Sequence, residues 1–224
     1  MARDRLRVLG ALIDQGVIPI FNHPDPDVCV RVIEACARGG APCIEFTNRG
    51  PFAPEVFGEV ARRFARSDPE VILGAGSIVD APTVGLFLAH GAEFVVSPVL
   101  NPEVARVCNR RMVAYSPGCA TPTEIGQAHE LGCEIVKLFP GGAAGGPDFV
   151  RAVLGPMPWT KLMPTGGVAP TEASLRPWFE AGIVACGMGS NLIPAESLAA
   201  GDYEGVERRV REAVQLVRSL RGRG

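Results

Sequence analysis

Lysine is nearly missing from this chain of 224 residues, which has only Lys137 and Lys161 among its 22 basic residues. Net charge is also nearly missing, since the formal total is -2. A chain so close to neutral gives no electrostatic basis for binding nucleic acid or an anionic membrane, and we expect neither as a partner. The position of one of these lysines therefore needs an explanation, because Lys137 lies inside an apolar run that is typical of a buried strand.

Cysteine is present but lacks the spacing that would give it a structural role. The seven cysteines are scattered, odd in number and never form a C-x-x-C pair. This spacing argues against a disulfide framework or a zinc site and favours reduced thiols. The first 16 residues are too charged for a signal peptide, and no apolar run is long enough to span a membrane. We therefore expect a cytoplasmic protein with no bound metal.

Short apolar runs rich in β-branched residues alternate with amphipathic stretches along the chain. The amphipathic stretches carry helix start signals at Asp27 and Thr121 and glycine stops at Gly39 and Gly132. The runs predict eight β-strands, at residues 17–21, 43–47, 71–75, 94–98, 112–116, 135–139, 161–165 and 183–187.

Eight strands alternating with helices predict an α/β fold with a parallel sheet, and eight is the number that closes a (β/α)8 TIM barrel. We expect a single domain over residues 1–224, with an N-terminal helix at about 2–15 and a closing helix at about 204–220. An open doubly wound sheet is the alternative. That fold favours a G-x-G-x-x-G turn after an early strand, and the sequence has none.

Lys137 is the first candidate for chemistry. Side chains alternate along a barrel strand, so Ile135, Lys137 and Phe139 are expected to point into the barrel near the carboxyl end of their strand, where catalytic groups of this fold lie. An ammonium among apolar side chains is costly, and a neutral amine is a nucleophile that forms a Schiff base with ketones. The alternatives are a lysine that extends to solvent or pairs with Glu45.

Glu45 and Arg49 are expected to approach the same cavity. In residues 43–49 the alternation places Cys43, Glu45, Thr47 and Arg49 on one face of the second strand. A carboxylate beside a lysine can move protons, and an arginine suits a substrate carboxylate. A purely structural ion pair is the alternative, although a buried ionic cluster is costly as scaffolding.

Two glycine-rich loops follow the seventh and eighth strands. Glycine lets backbone amides approach an anion closely, and these two loops form the recurring phosphate site of the TIM barrel. Ordinary glycine-rich turns are the alternative. The candidate phosphate-binding residues are Gly166, Gly167, Gly189 and Ser190.

Taken together, these stretches resemble the class I 2-keto-3-deoxy-6-phosphogluconate (KDPG) aldolases. That family includes the aldolases for 4-hydroxy-2-oxoglutarate (KHG) and 2-keto-3-deoxy-6-phosphogalactonate. The resemblance runs from about Gly16 to Ala199. It rests on the motifs EFTNR, GAGS, VSP, PGCATPTE, VKLFP, PTGG and GMGSNLIP.

The resemblance implies a role for each matching residue. It also implies a homotrimer in the Entner–Doudoroff pathway that needs no metal and no cofactor, because the lysine itself forms the covalent imine. The implied roles are Schiff-base lysine for Lys137, general acid/base for Glu45, carboxylate binding for Arg49 and Ser77, pocket lining for Pro98, Phe139 and Thr165, and phosphate binding for Gly166, Gly167 and Ser190.

Some positions depart from the family pattern and leave substrate choice open. Asn48 and Gly50 alter the E-x-T-L-R-T form, and Gly141 and Gly142 replace Ala-Glu. The substrate could therefore be KDPG, its galactonate epimer or KHG. Two rival functions stay open. One is a non-covalent phosphate-binding barrel isomerase or synthase, which shares the late glycine loops, and the other is a non-catalytic sugar-phosphate sensor or a scaffold. At the top of the first strand stand Asn22 and His23, where the histidine either touches substrate or caps a loop.

Overall fold

The computed structural model describes residues 3–68 and 70–222, and every strand pair among them is parallel. The strands are β1 Val17–Phe21, β2 Cys43–Thr47, β3 Ile72–Gly76, β4 Phe94–Val96, β5 Ala114–Ser116, β6 Gly118–Cys119, β7 Ile135–Leu138, β8 Lys161–Pro164 and β9 Cys186–Met188. The helices are α1 Arg5–Gln15, α2 Pro26–Arg38, α3 Ala53–Ser67, α4 Ala81–Ala89, α5 Pro102–Arg110, α6 Pro122–Glu130, α7 Gly146–Leu154, α8 Glu172–Glu180, α9 Ala195–Ala200 and α10 Tyr203–Leu220.

The strands close into the expected (β/α)8 barrel, which excludes the open doubly wound sheet. One sheet has the order β5-β4-β3-β2-β1-β9 and the other β6-β7-β8. An isolated parallel bridge between Thr165 and Gly187 joins β8 to β9. On the other side β5 and β6 are two parts of one barrel strand, interrupted at Pro117, which has no N–H to donate.

Several expected boundaries are wrong by a few residues, for local reasons. The run at 112–116 becomes a strand only at Ala114, because Met112 has a φ of 53° and belongs to the turn after α5. Helix α2 begins at Pro26, and its cap is Asp25 instead of the expected Asp27, since the Asp25 side chain accepts a hydrogen bond from the Asp27 backbone N–H. Thr121 is confirmed as the cap of α6, where it forms a capping box with Glu124.

The barrel interior is filled from one end. The apolar side chains of Val8, Leu9 and Leu12 on α1 pack with Ile18 and Ile135 at the amino-terminal end of the strands. Burying each of these large aliphatic side chains stabilises the fold by about 2 kcal/mol. Because α1 covers this end, we expect ligands to enter the barrel at the carboxyl ends of the strands, where active sites of this fold lie.

The outward positions of the strands face the helices. Val136 and Leu138 belong to the layer between strands and helices, as the alternation around Lys137 predicts. Helix α10 packs on α2, and beyond its end the Arg221 guanidinium donates to the Ile13 carbonyl at 2.7 Å. No helix in the described part of the chain is long and apolar enough to cross a membrane. Residue 2 of the expected first helix lies outside the described residues, and the single-domain extent over 1–224 stays a prediction.

Candidate active site

Lys137 points into the barrel near the carboxyl end of β7. Its side chain is buried, with 5% of the residue exposed, and its ammonium nitrogen lies 4.8 Å from the centroid of the Phe139 ring. The Lys137 backbone N–H donates to the Pro117 carbonyl at 2.9 Å, which ties β7 to the interrupted fifth barrel strand. The alternative of a lysine extending to solvent is therefore wrong.

Glu45 enters the same interior from β2 and is 2% exposed. Burial raises the pKa of the Glu45 carboxyl above its ordinary value, while the positive charges of Lys137 and Arg49 act to lower it. Among the described residues no N–O contact within 4.0 Å pairs these three side chains, so the structural ion pair is absent. The arrangement is a buried carboxyl that feels two positive charges without a contact ion pair.

Gly76 makes the space in which the Glu45 carboxylate lies. Gly76 is the register partner of Thr47 on β2, and a Cβ added to it would overlap the carboxylate oxygen and lie 2.6 Å from Glu45 Cγ and Cδ. Gly74, two residues earlier, leaves room for the Phe94 ring in the same way. Sequence analysis assigned Gly76 no role. The sequence signal that could have identified it is glycine at two alternate inward positions of β3, Gly74 and Gly76.

The loop after β2 carries Arg49, which is exposed at the mouth of the barrel. The Asn22 side-chain amide approaches the Arg49 carbonyl at 3.4 Å, and the Thr47 hydroxyl lies 3.4 Å from the Asn22 side-chain oxygen. His23 accepts a hydrogen bond from the Asp25 backbone N–H at 3.1 Å. The cap interpretation of His23 is thus supported, and Asn22 links the ends of β1 and β2.

Ser77 and Pro98 follow the ends of β3 and β4. Ser77 is half-buried and has a φ of 58°, a left-handed conformation that serine rarely adopts. Within the described residues its hydroxyl makes no hydrogen bond, so it is free to meet a ligand. Pro98 is also half-buried, so both residues border the open end of the barrel.

The loops after β8 and β9 expose unused backbone donors. In the described part of the chain, the backbone N–H groups of Gly166, Gly167, Gly189 and Ser190 have no hydrogen-bond acceptor. The Thr165 hydroxyl is buried against Gly187 and has no hydrogen-bond partner among the described residues. Unpaired donors grouped at two adjacent loops are suited to an anion.

The loop after β7 explains two departures from the family pattern. The Gly141 and Gly142 backbone N–H groups donate to the Thr165 and Gly166 carbonyls at 2.9 and 3.0 Å. A Cβ on Gly167 would lie 2.8 Å from the Gly142 Cα, so the two glycine loops pack backbone against backbone. Glycine at 141 and 142 therefore serves close packing, and these two amides are not available to a ligand.

Thiols are poor candidates for the nucleophile. All seven cysteines are free and buried, and burial raises the pKa of each thiol to about 12. Among residues 3–68 and 70–222, no three His, Cys, Asp or Glu side chains are grouped so that they could hold a metal ion. Lys137, beside a carboxyl of raised pKa, is the nucleophile that this arrangement offers.

The sequence matches one family of known proteins over most of its length. The family model described as KDPG and KHG aldolase matches residues 10–209. The 2-dehydro-3-deoxy-phosphogluconate aldolase of Treponema pallidum is 34% identical over 217 residues, and the match covers 95% of this chain and 98% of that one. The KHG/KDPG aldolase of Escherichia coli K12 is 31% identical over 199 residues, covering 89% and 91%.

Solved structures agree with the fold. The 2-keto-3-deoxy-6-phosphogluconate aldolase of Zymomonas mobilis superposes with a TM-score of 0.79 at 26% identity, over 94% of this chain and 96% of the other. The KDPG aldolase of Legionella pneumophila, in which pyruvate was captured as a covalent carbinolamine, gives a TM-score of 0.84 at 23% identity over 92% and 97%. At 23% identity, the similarity to the Legionella pneumophila structure supports the fold alone.

Proposed function

This chain belongs to the family of KDPG and KHG aldolases, and on that premise we propose that it reversibly cleaves KDPG to pyruvate and glyceraldehyde 3-phosphate through an imine on Lys137. The observation that carries the proposal is the Lys137 amine, buried inside a closed barrel with the Glu45 carboxyl. A protein that only bound phosphosugars would not need an amine buried away from solvent. We infer no metal or cofactor requirement, since the imine itself withdraws electrons.

The reaction follows from what the two side chains can do. The neutral Lys137 amine attacks the C2 ketone, and the carbinolamine loses water with protons carried by Glu45. Glu45 then takes the C4 hydroxyl proton and the C3–C4 bond breaks. The electron pair of that bond moves into the protonated imine, which becomes an enamine. Glyceraldehyde 3-phosphate leaves. The enamine is protonated at C3, and hydrolysis releases pyruvate and the free amine.

The remaining residues bind and orient the substrate. Arg49 and the unpaired Ser77 hydroxyl hold the C1 carboxylate, while Pro98, Phe139 and Thr165 line the pocket between it and the other end of the substrate.

At that other end, the free backbone N–H groups of Gly166, Gly167, Gly189 and Ser190 hold the phosphate. These free donors favour a phosphorylated substrate over KHG, which has no phosphate. The galactonate epimer would use the same groups. A cytoplasmic location and a place in the Entner–Doudoroff pathway rest on the resemblance to the family.

The test of this function is trapping of the imine. The protein is incubated with pyruvate and sodium borohydride, and the adduct is located by peptide mass spectrometry. We expect a reduced pyruvate adduct on Lys137 and none on Lys161, which serves as an internal control because it is the only other lysine. A folded protein that stays unmodified would remove the covalent aldolase and leave the non-covalent barrel enzyme.

Besides binding the substrate carboxylate, Arg49 is expected to affect the pH dependence of the reaction. Its positive charge lowers the pKa of Glu45, which burial has raised. Replacing Arg49 with methionine therefore raises that pKa further, and Glu45 becomes an ionised base only at higher pH. We expect the acid limb of the kcat/KM profile to move to higher pH and KM for the keto acid to rise.

Arg176→Met is the matched control for this experiment. Arg176 is an exposed arginine on α8 that pairs with Glu172. It belongs to a helix and not to the loop after β2 that carries Arg49. Its replacement should leave the acid limb in place. An acid limb that is unchanged or moves to lower pH in Arg49→Met would contradict the role given to Arg49.

A homotrimer is the proposed assembly, and exposed apolar side chains at the barrel mouth support it. Phe52, Val79 and Val99, on the loops after β2, β3 and β4, are 72%, 50% and 50% exposed. Apolar groups left open on adjacent loops mark an interaction surface. We expect sedimentation equilibrium to give three times the chain mass, and Phe52→Ser to shift it toward the monomer. A monomer at micromolar concentration would contradict the assembly.

A further inference from the structure

Ser97 is a buried hydroxyl that the proposed reaction does not use. It lies directly after β4, is 0% exposed, and its backbone N–H donates to the Ser116 carbonyl at 3.1 Å. Its hydroxyl donates to the carbonyl of Ile78. Ile78 is the residue that follows Ser77, so this contact reaches the carboxylate-binding turn from the neighbouring strand.

The Ser77 turn is held from both sides. On the β2 side, the Asn48 backbone N–H donates to the Gly76 carbonyl at 2.8 Å. On the β4 side, the Ile78 backbone N–H donates to the Val96 carbonyl at 3.3 Å, and the Ile78 carbonyl accepts the Ser97 hydroxyl. The backbone N–H of Ile78 is therefore held by β4, and its carbonyl by the residue that follows β4.

The conformation of Ser77 depends on this fixation. A residue other than glycine at a φ of 58° is strained, and such strain persists only where the surroundings determine it. Without the Ser97 hydroxyl the Ile78 carbonyl would be buried without a partner and would turn toward another donor. The Ile78 carbonyl belongs to the peptide that follows Ile78, so its rotation would shift Ile78 itself. The Ser77–Ile78 peptide, which sets the ψ angle of Ser77, would shift with it and move the Ser77 side chain away from the barrel mouth.

We propose that Ser97 is a positioning residue, which holds Ser77 in its left-handed conformation so that the Ser77 hydroxyl meets the substrate carboxylate. This inference rests on the carboxylate-binding role proposed for Ser77. Ser97 itself does not touch the substrate, and it acts through the Ile78 peptide.

The experiment measures how much pyruvate is needed to trap the imine. The pyruvate concentration that gives half-maximal borohydride labelling of Lys137 is determined for Ser97→Ala, Ser77→Ala and the double variant. We expect each single variant to raise this concentration about tenfold, as for the loss of one hydrogen bond to a charged group. Labelling at saturating pyruvate should stay complete, because Lys137 is untouched.

The double variant separates positioning from general stability. If Ser97 acts through Ser77, then Ser97→Ala causes no further increase in the Ser77→Ala background. An additive increase, or a half-maximal concentration unchanged in Ser97→Ala while the melting temperature falls, would overturn the inference. Absence of any adduct in the unsubstituted protein would instead contradict the proposed function.

Two further variants complete the design. Thr160→Val removes another buried hydroxyl, which lies just before β8 at the opposite end of the barrel. That hydroxyl has no partner within residues 3–68 and 70–222, so its loss should leave the half-maximal concentration unchanged. Ser97→Cys keeps the side-chain volume but donates weakly, and is used if Ser97→Ala does not fold. We expect it to raise the half-maximal concentration in the same direction, and no increase in a folded Ser97→Cys would also count against the inference.

Discussion

Replacing Lys137 with arginine is expected to abolish turnover while the barrel stays folded. A guanidinium remains protonated at every pH at which the protein is folded, so it has no electron pair with which to attack the C2 ketone. The positive charge that lowers the pKa of Glu45 is retained, so the carboxyl keeps its electrostatic surroundings. The loss can then be attributed to the nucleophile.

The measurement is pyruvate formation from KDPG in a coupled assay, beside circular dichroism and thermal unfolding. Lys161→Arg is the matched control, because it makes the same chemical change at the other lysine, which is exposed at the start of β8. We expect that variant to keep full activity. Turnover in a folded Lys137→Arg protein at the rate of the unsubstituted enzyme would show that the reaction does not pass through this amine.

The inward positions of the barrel could be predicted from sequence because strand alternation depends only on the chain itself. Lys137 and Glu45 were placed inside by the period of two, and the structure confirms both. The interruption of the fifth barrel strand at Pro117 was not predicted. Proline removes a donor, but whether the strand continues beyond it depends on the neighbouring strands.

Contacts between loops escaped sequence analysis for a different reason. Ser97 holds Ile78, and the Gly141 and Gly142 amides bond to residues that follow β8, yet no local pattern links these segments. The register between strands and the path of each loop decide such contacts. The glycines after β7 were noticed as a departure from the family pattern, but their packing against the next loop required the three-dimensional arrangement.

Gly76 is the residue outside the predicted catalytic set for which we expect the largest effect on turnover. A Cβ at this position overlaps the Glu45 carboxylate and also lies 2.6 Å from the Glu45 Cγ, so the whole Glu45 side chain has to adopt another rotamer. The backbone of Gly76 does not need a positive φ, so alanine is compatible with β3. Gly76→Ala should thus leave the fold intact and displace the carboxylate.

A displacement of about 1 Å at a reacting group lowers the rate by about 10²-fold, and we expect kcat of Gly76→Ala to fall by that amount. Borohydride labelling should still find Lys137, because the amine is not moved. Gly126→Ala is the matched control, since Gly126 lies within α6 with nothing within 4 Å of an added Cβ. That change should keep full activity and stabilise the protein by about 0.5–1 kcal/mol. A Gly76→Ala enzyme with unchanged kcat would mean that the Glu45 carboxylate does not act from the position seen here, and another group would have to move the C4 proton.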